Sequence, residues 1–344
     1  MKRLFWGFLT FCFFLAAGAA AEVEMKFYGQ QWLRYEYVFS GADPVSNSFY
    51  VPRTYLRLKA KDFDAGFEGF LTLDINNDRN GQKVTSTASA GSVDWGIWVK
   101  YGYISLSKLP LLSDAGIVLQ AGVIPVYFGV VGTWPYPLIE KAVEDRLGYI
   151  GSADQGIALS GKLPENWGSY ELAVYNGSGV KKMEDNAEKG WLANIKVSPV
   201  QEIYATVSYY RTLTNALNCP AQRFDLTAAV IGGKAGDFEA FAEYVVNNSS
   251  DNRTEGKSGT GEAYSVFASY NLMKNLGFTA RYDMRDPDTF VRKDEYNTFI
   301  AGANIGLAGE TAVLQLNYQL DTPKFRGTGI KNSNLWMAQV KWNF

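Results

Sequence analysis

The chain has 344 residues, with 33 Lys plus Arg against 35 Asp plus Glu and no histidine. A nearly balanced, slightly acidic charge argues against a nucleic-acid partner, and the lack of His removes Ser-His-Asp, Cys-His, HExxH, zinc-histidine and axial-histidine haem chemistry. Cys12 and Cys219 are the only thiols, too few for a metal site, so no catalytic residue, metal or cofactor is expected.

At the N-terminus Lys2 and Arg3 precede an apolar run from Leu4 to Leu15, and small residues end in Ala19-x-Ala21. This pattern predicts a secretory signal peptide over residues 1–21, cleaved before Glu22, and a single mature domain over 22–344. No later apolar run approaches the roughly 18 residues a membrane helix needs. The aromatic and glycine content is nevertheless high, with 21 Tyr, 21 Phe, 9 Trp and 34 Gly, while mean hydropathy is −0.14. A closed barrel satisfies both facts, because its strands alternate between a lipid face and a wet lumen.

The strands follow in order. Residues 24–38 place Phe27, Gly29, Leu33, Tyr35 and Tyr37 on one face and Lys26, Gln30, Arg34 and Glu36 on the other, as a period of two requires. Over 50–61 the outward set is Thr54, Leu56, Leu58 and Ala60, and the inward set includes Arg53, Tyr55, Arg57 and Lys59. Strands at 67–76, with Asp74 inward, at 94–107, with Lys100 inward, and at 117–124 come next. A long connection, 126–151, precedes strands at 152–161, 169–177, 191–198, 203–212, 223–234, 239–247, 262–271, 277–285, 298–307 and 311–320. The last strand, 334–344, sets Trp336, Ala338, Val340, Trp342 and Phe344 against Gln339, Lys341 and Asn343.

Connections alternate between short turns, such as 199–202, 235–238 and 308–310, and long polar loops, such as 248–261, 286–297 and 321–333. The prediction is therefore an all-β, transmembrane, antiparallel up-and-down β-barrel of about sixteen strands, with short turns on the periplasmic side. Its closing strand, with Val340, Trp342 and Phe344 in one row, is similar to the assembly signal read by the barrel-assembly machinery of outer-membrane barrels.

Five stretches carry a family resemblance: FYVPRTYLRLK (49–59), WVKYGYISL (98–106), QAGVIPVYFG (120–129), GSADQGIALSG (151–161) and YELAVYNGSG (170–179). With the terminal Phe344 they resemble the Gram-negative porins, in the branch that holds phosphate-selective and related porins. The resemblance implies a homotrimer in outer-membrane lipid, each subunit passing small ions and hydrophilic solutes by diffusion. It also implies that the third outside loop, here 126–151, folds into the barrel. Trp134, Pro135, Tyr136 and Pro137 are expected to pack that loop on the wall, with Glu140, Lys141, Glu144, Asp145 and Arg146 reaching the constriction.

Facing them, Arg34, Arg53, Arg57, Lys59 and Lys100, with Asp74, are expected to set a field across a narrow, low-dielectric passage. Inward bases slightly outnumber inward acids, which predicts a weak anion preference, and a loop of mixed sign argues against phosphate specificity. The alternative from another class is a structural sheath or docking barrel, as in a porin-cytochrome conduit; no CxxCH haem motif is present. An enzyme using carboxylates alone stays formally open, but no acid pair stands at a recognisable spacing.

Overall fold

The computed structural model describes residues 23–76, 95–110, 112–180, 184, 187–214, 222–249, 259–291, 294–308, 311–323 and 332–344. The expected signal peptide and Cys219 lie outside the described residues. Sixteen strands form one closed sheet: β1 (Val23–Ser40), β2 (Asp43–Asp62), β3 (Phe67–Asn76), β4 (Gly96–Leu106), β5 (Val118–Pro125), β6 (Ala153–Lys162), β7 (Gly168–Tyr175) and β8 (Gly190–Val200) make one half. β9 (Ile203–Thr214), β10 (Gln222–Ala235), β11 (Phe238–Ser249), β12 (Gly259–Met273), β13 (Leu276–Asp286), β14 (Tyr296–Gly306), β15 (Ala312–Pro323) and β16 (Ser333–Asn343) make the other. Every strand pairs antiparallel with its sequence neighbour, and β1 pairs with β16 to close the cylinder.

Alternation decides which side chains face outward. Along β13, Phe278 and Tyr282 are exposed while Thr279, Arg281 and Asp283 are buried inside. On β15 Leu316 points out, and Gln315, Asn317 and Gln319 line the interior. Two stacked sheets would instead bury the outward aromatics between them; here Trp191, Phe278, Trp336 and Trp342 remain exposed on the outer surface.

Two local departures from the expected pattern matter. The second strand begins at Asp43, not at residue 50, and only Gly41 and Ala42 connect it to β1. The stretch DPVSNSF has little strand propensity, yet it pairs with the end of β1, with Val38 opposite Ser46 and Tyr35 opposite Phe49. Gly41 at φ 62 supplies the left-handed residue such a tight turn needs. On β4, Thr72 faces Tyr101 and Leu73 faces Val99, so Lys100 is the extra residue of a bulge. A bulge re-aims side chains, and Lys100 and Tyr101 both line the interior.

The seam closes at the end of the chain. The Gly29 amide donates to the Phe344 carbonyl at 2.8 Å, and the Phe344 amide donates back to Gly29 at 3.1 Å. The Phe344 ring lies where a β-carbon on residue 29 would stand, so glycine is required there for the terminal aromatic to dock.

Candidate functional site

The chain from Val126 to Gly151 is apolar on no single face, with VYFGVV followed by GTWPYPLI, and it does not continue the sheet. It runs inside the barrel. Val126, Phe128, Val130, Val131, Trp134, Leu138, Ala142, Val143 and Ile150 form one buried cluster with inward residues of the wall, among them Leu226, Val230, Phe241, Val245, Phe267 and Ile300. Trp134 meets Phe241 and Phe267 edge-on, at 6.1 and 5.4 Å between ring centroids. Burial of each such side chain contributes about 1.5–3 kcal/mol.

Polar bonds satisfy the backbone this segment brings inside. The Val130 amide donates to Glu243 at 3.1 Å, the Gly129 amide to Ser208 at 3.0 Å, and the Ile139 amide to Asn317 at 2.9 Å. Asn304 donates to the Pro137 carbonyl at 2.9 Å and Gln315 to that of Tyr136 at 3.0 Å. A four-residue helix, α1 (Val143–Arg146), turns the segment back. From it Arg146 pairs with Asp283 at 3.2 Å, while the fully buried Arg281 pairs with the same carboxylate at 2.9 Å and donates to the Lys141 carbonyl at 2.6 Å. Glu144 is fully buried beside Glu243, with Gly129 pressed against both carboxylates. Burial raises the Glu144 carboxyl above the usual glutamate value, and hydrogen bonding to Glu243 and to the backbone, with the neighbouring Arg281, only partly offsets that.

The inner surface of β1, β2, β4 and β16 is different. Between it and residues Val131–Tyr136 lies a cleft of about 250 Å³ containing Arg53, Arg57, Lys100 and Lys341. No carboxylate is among the described residues that line it. Arg53 is stacked by three rings: its guanidinium carbon lies 4.6 Å from the centroid of Trp32, 4.9 Å from Tyr55 and 5.0 Å from Tyr136. Arg57 lies 4.8 Å from the Tyr55 centroid and Lys341 5.9 Å from that of Trp32. Lys100 donates to the Ser152 hydroxyl. A larger cavity of about 600 Å³ on the other side of the segment is mixed in sign, with Glu171, Lys162 and Lys196 on its walls.

A closed sixteen-strand cylinder, a segment folded into its lumen and a charged cleft beside that segment can be compared with solved structures. The anion-selective porin from Comamonas acidovorans is similar at a TM-score of 0.68 and 12% identity, covering 94% of this chain and 100% of that one. The fold is that of the outer-membrane porins. DcaP, an outer membrane channel of Acinetobacter baumannii, is similar at a TM-score of 0.68 and 12% identity over 95% of this chain and 99% of its own. OmpT, an outer membrane protein of Vibrio cholerae solved in a trimer form, gives 0.65 and 12% over 94% and 99%. No family model and no curated relative matches the sequence, so the likeness is one of architecture.

Within this porin fold the expected site residues separate into groups. Arg53, Arg57 and Lys100 meet in the cleft. Asp74 is buried beside it and accepts from Asn76 at 3.3 Å. Arg34 lies elsewhere in the lumen, tied to Gln339 at 2.9 Å and to Glu36 at 3.1 Å, with Tyr50 bonded to the same Glu36. Lys59 pairs with Glu68 at 3.0 Å.

None of the five charged loop residues lines the cleft. Glu140 caps the Lys141 amide at 2.8 Å, Lys141 pairs with Asp145 at 3.7 Å, and Glu144 and Arg146 are turned to the opposite wall. The loop shows the cleft Val131, Gly132, Trp134, Pro135 and Tyr136 instead, while α1 turns Glu144 toward Glu243 on β11 and Arg146 toward Asp283 on β13. Asp225 belongs to the outward row of β10 with Thr227 and Ile231, and accepts from Tyr209 at 2.8 Å. Sequence reasoning left Trp32, Tyr55, Tyr101 and Lys341 out of the site. For Tyr55 the signal was available: Arg53, Tyr55 and Arg57 stand at i, i+2 and i+4, on one face of a strand.

Proposed function

We propose that this protein is an outer-membrane porin: a passive channel for small hydrophilic solutes and ions, with a modest preference for anions, that performs no chemistry. The observation that carries this is the cleft holding Arg53, Arg57, Lys100 and Lys341 with no carboxylate on its described lining. Fixed cations in a narrow, low-dielectric passage replace part of an anion's hydration and repel cations. The likeness of fold to a porin described as anion-selective is in keeping with this.

Residues 126–151 act in this proposal as the constriction element, set against β1, β2, β4 and β16. A homotrimer, each subunit with its own pore, fits the trimer form of the OmpT neighbour, and outer-membrane lipid would then meet the remaining outer surface. The row ending in Val340, Trp342 and Phe344 serves as the assembly signal. A sheath around a folded partner is disfavoured, since residues of the segment 126–151 are packed on the inner wall of the barrel.

Reconstitution of the purified protein into a planar bilayer tests the proposal. Stepwise ohmic conductance increments are expected. A folded barrel that gives no steps with any salt would overturn the channel function.

A further inference from the structure

Tyr136 stands apart from the rest of the internal segment. It is one of three non-glycine residues with positive φ among the described residues, at 55°, and a bulky side chain in that region is an outlier. Pro135 and Pro137 flank it, restricting the backbone on both sides. Its carbonyl is fixed by Gln315 on the β15 wall, while its ring crosses to the other wall and meets Trp32 edge-on at 5.1 Å. It is also the third ring around Arg53, its centroid 5.0 Å from the guanidinium carbon. Of the three rings on that guanidinium, Trp32 and Tyr55 belong to the rigid sheet and Tyr136 alone comes from the internal segment.

Strained backbone persists where the surroundings force it, and such positions cluster at ligand clamps and switches. Here the surroundings are two prolines, a carbonyl bond and an aromatic contact, all of which drive one ring across the narrow side of the lumen. We infer that Tyr136 is the specificity-determining residue of the passage: its ring sets the free cross-section of the cleft, and its contact with Arg53 holds that guanidinium in place beside a passing anion. The inference rests on the channel function proposed above and deepens it. Small anions pass. Bulkier solutes of the same charge are held back by the ring.

The test is single-channel conductance and zero-current potential in planar bilayers, with barrel integrity followed by the heat-dependent shift of gel mobility. Tyr136→Gly relieves the backbone and removes the ring; Tyr136→Asn, which also tolerates positive φ, is the second variant should glycine loosen the segment. Both are expected to raise conductance by about twofold and to lower the anion-over-cation permeability ratio, and Tyr136→Phe to keep wild-type values. Unchanged conductance and selectivity in folded Gly and Asn variants would overturn the inference, as would a Phe variant that behaves like Gly. A wild-type barrel that does not conduct at all would instead overturn the channel function, so the two failures are told apart.

Discussion

The two halves of the inner wall follow opposite physical rules. On β1, β2, β4 and β16 the inward side chains are cations and rings around an open cleft. On β10, β11, β12 and β14 they include Leu226, Ala228, Val230, Phe241, Val245, Ala263, Phe267 and Ile300, and the internal segment is packed against these like a protein core. A lumen built this way is not a uniformly wet tube. One side is a dry dock that fixes the position of a loop, and the other is, in the proposed channel, the surface a solute meets. In that proposal the dock determines the width of the passage without touching what passes.

The comparison breaks most sharply at Asp283, the buried carboxylate shared by Arg146 and Arg281. Asp283→Ala leaves a buried guanidinium uncompensated, a loss of roughly 3–5 kcal/mol. The segment should undock, and trypsin should then cut after Lys141 or Arg146 in the folded barrel, where the wild type resists. Next comes Trp134→Ala, which empties the centre of the aromatic cluster. A large-to-small change of this kind costs about 3–5 kcal/mol, shared here with a rigid barrel, so the expected outcome is a noisier, larger conductance with the gel-mobility shift retained.

Smaller effects sharpen the contrast. Lys341→Gln on the cleft side should lower the chloride-over-potassium permeability ratio by about twofold, whereas Lys234→Gln on β10 should leave it unchanged. The smallest effect concerns Glu144. Its carboxyl is raised by burial above the ordinary value of 4.5, so the docked state binds more protons than the undocked one as pH climbs past that value. Docking is then fully stable at acid pH and weakens as pH rises through the raised value. Replacing Glu144 and its buried neighbour Glu243 together by Gln should flatten this dependence, measured as the rate of tryptic cleavage of the segment against pH.

Much of the architecture was legible in the residues. A strict period of two over 311–320 or 334–344 has one physical meaning, a sheet with unlike faces, and sorting of short and long connections implies an up-and-down barrel. The β2 start was hidden because DPVSNS has loop composition, and only pairing with β1 makes it a strand. Arg53 and Arg57 were legible as cleft residues because strand parity fixes their direction. Lys100, read as inward, also reaches the cleft, and the bulge that sets the adjacent Tyr101 on the same side is what parity does not foresee. Lys341 was not singled out because it is far from them in sequence, and closure of β16 on β1 is what brings it near.

The loop charges were expected in the passage because no periodicity tells which way a short helical turn points. The apolar inward row Leu226, Ala228 and Val230 did carry a signal. A row that is oily at lumen positions requires something oily to cover it, and VGTWPYPLI is the segment within reach.

The zero-current potential of the reconstituted wild-type channel across a potassium chloride gradient tests the division of the lumen most directly. A cleft lined by Arg53, Arg57, Lys100 and Lys341 should move that potential toward the chloride equilibrium value, and neutralising the four together should bring it close to zero. A potential displaced toward the potassium value would mean that carboxylates, not these cations, face the solute, and would contradict the account.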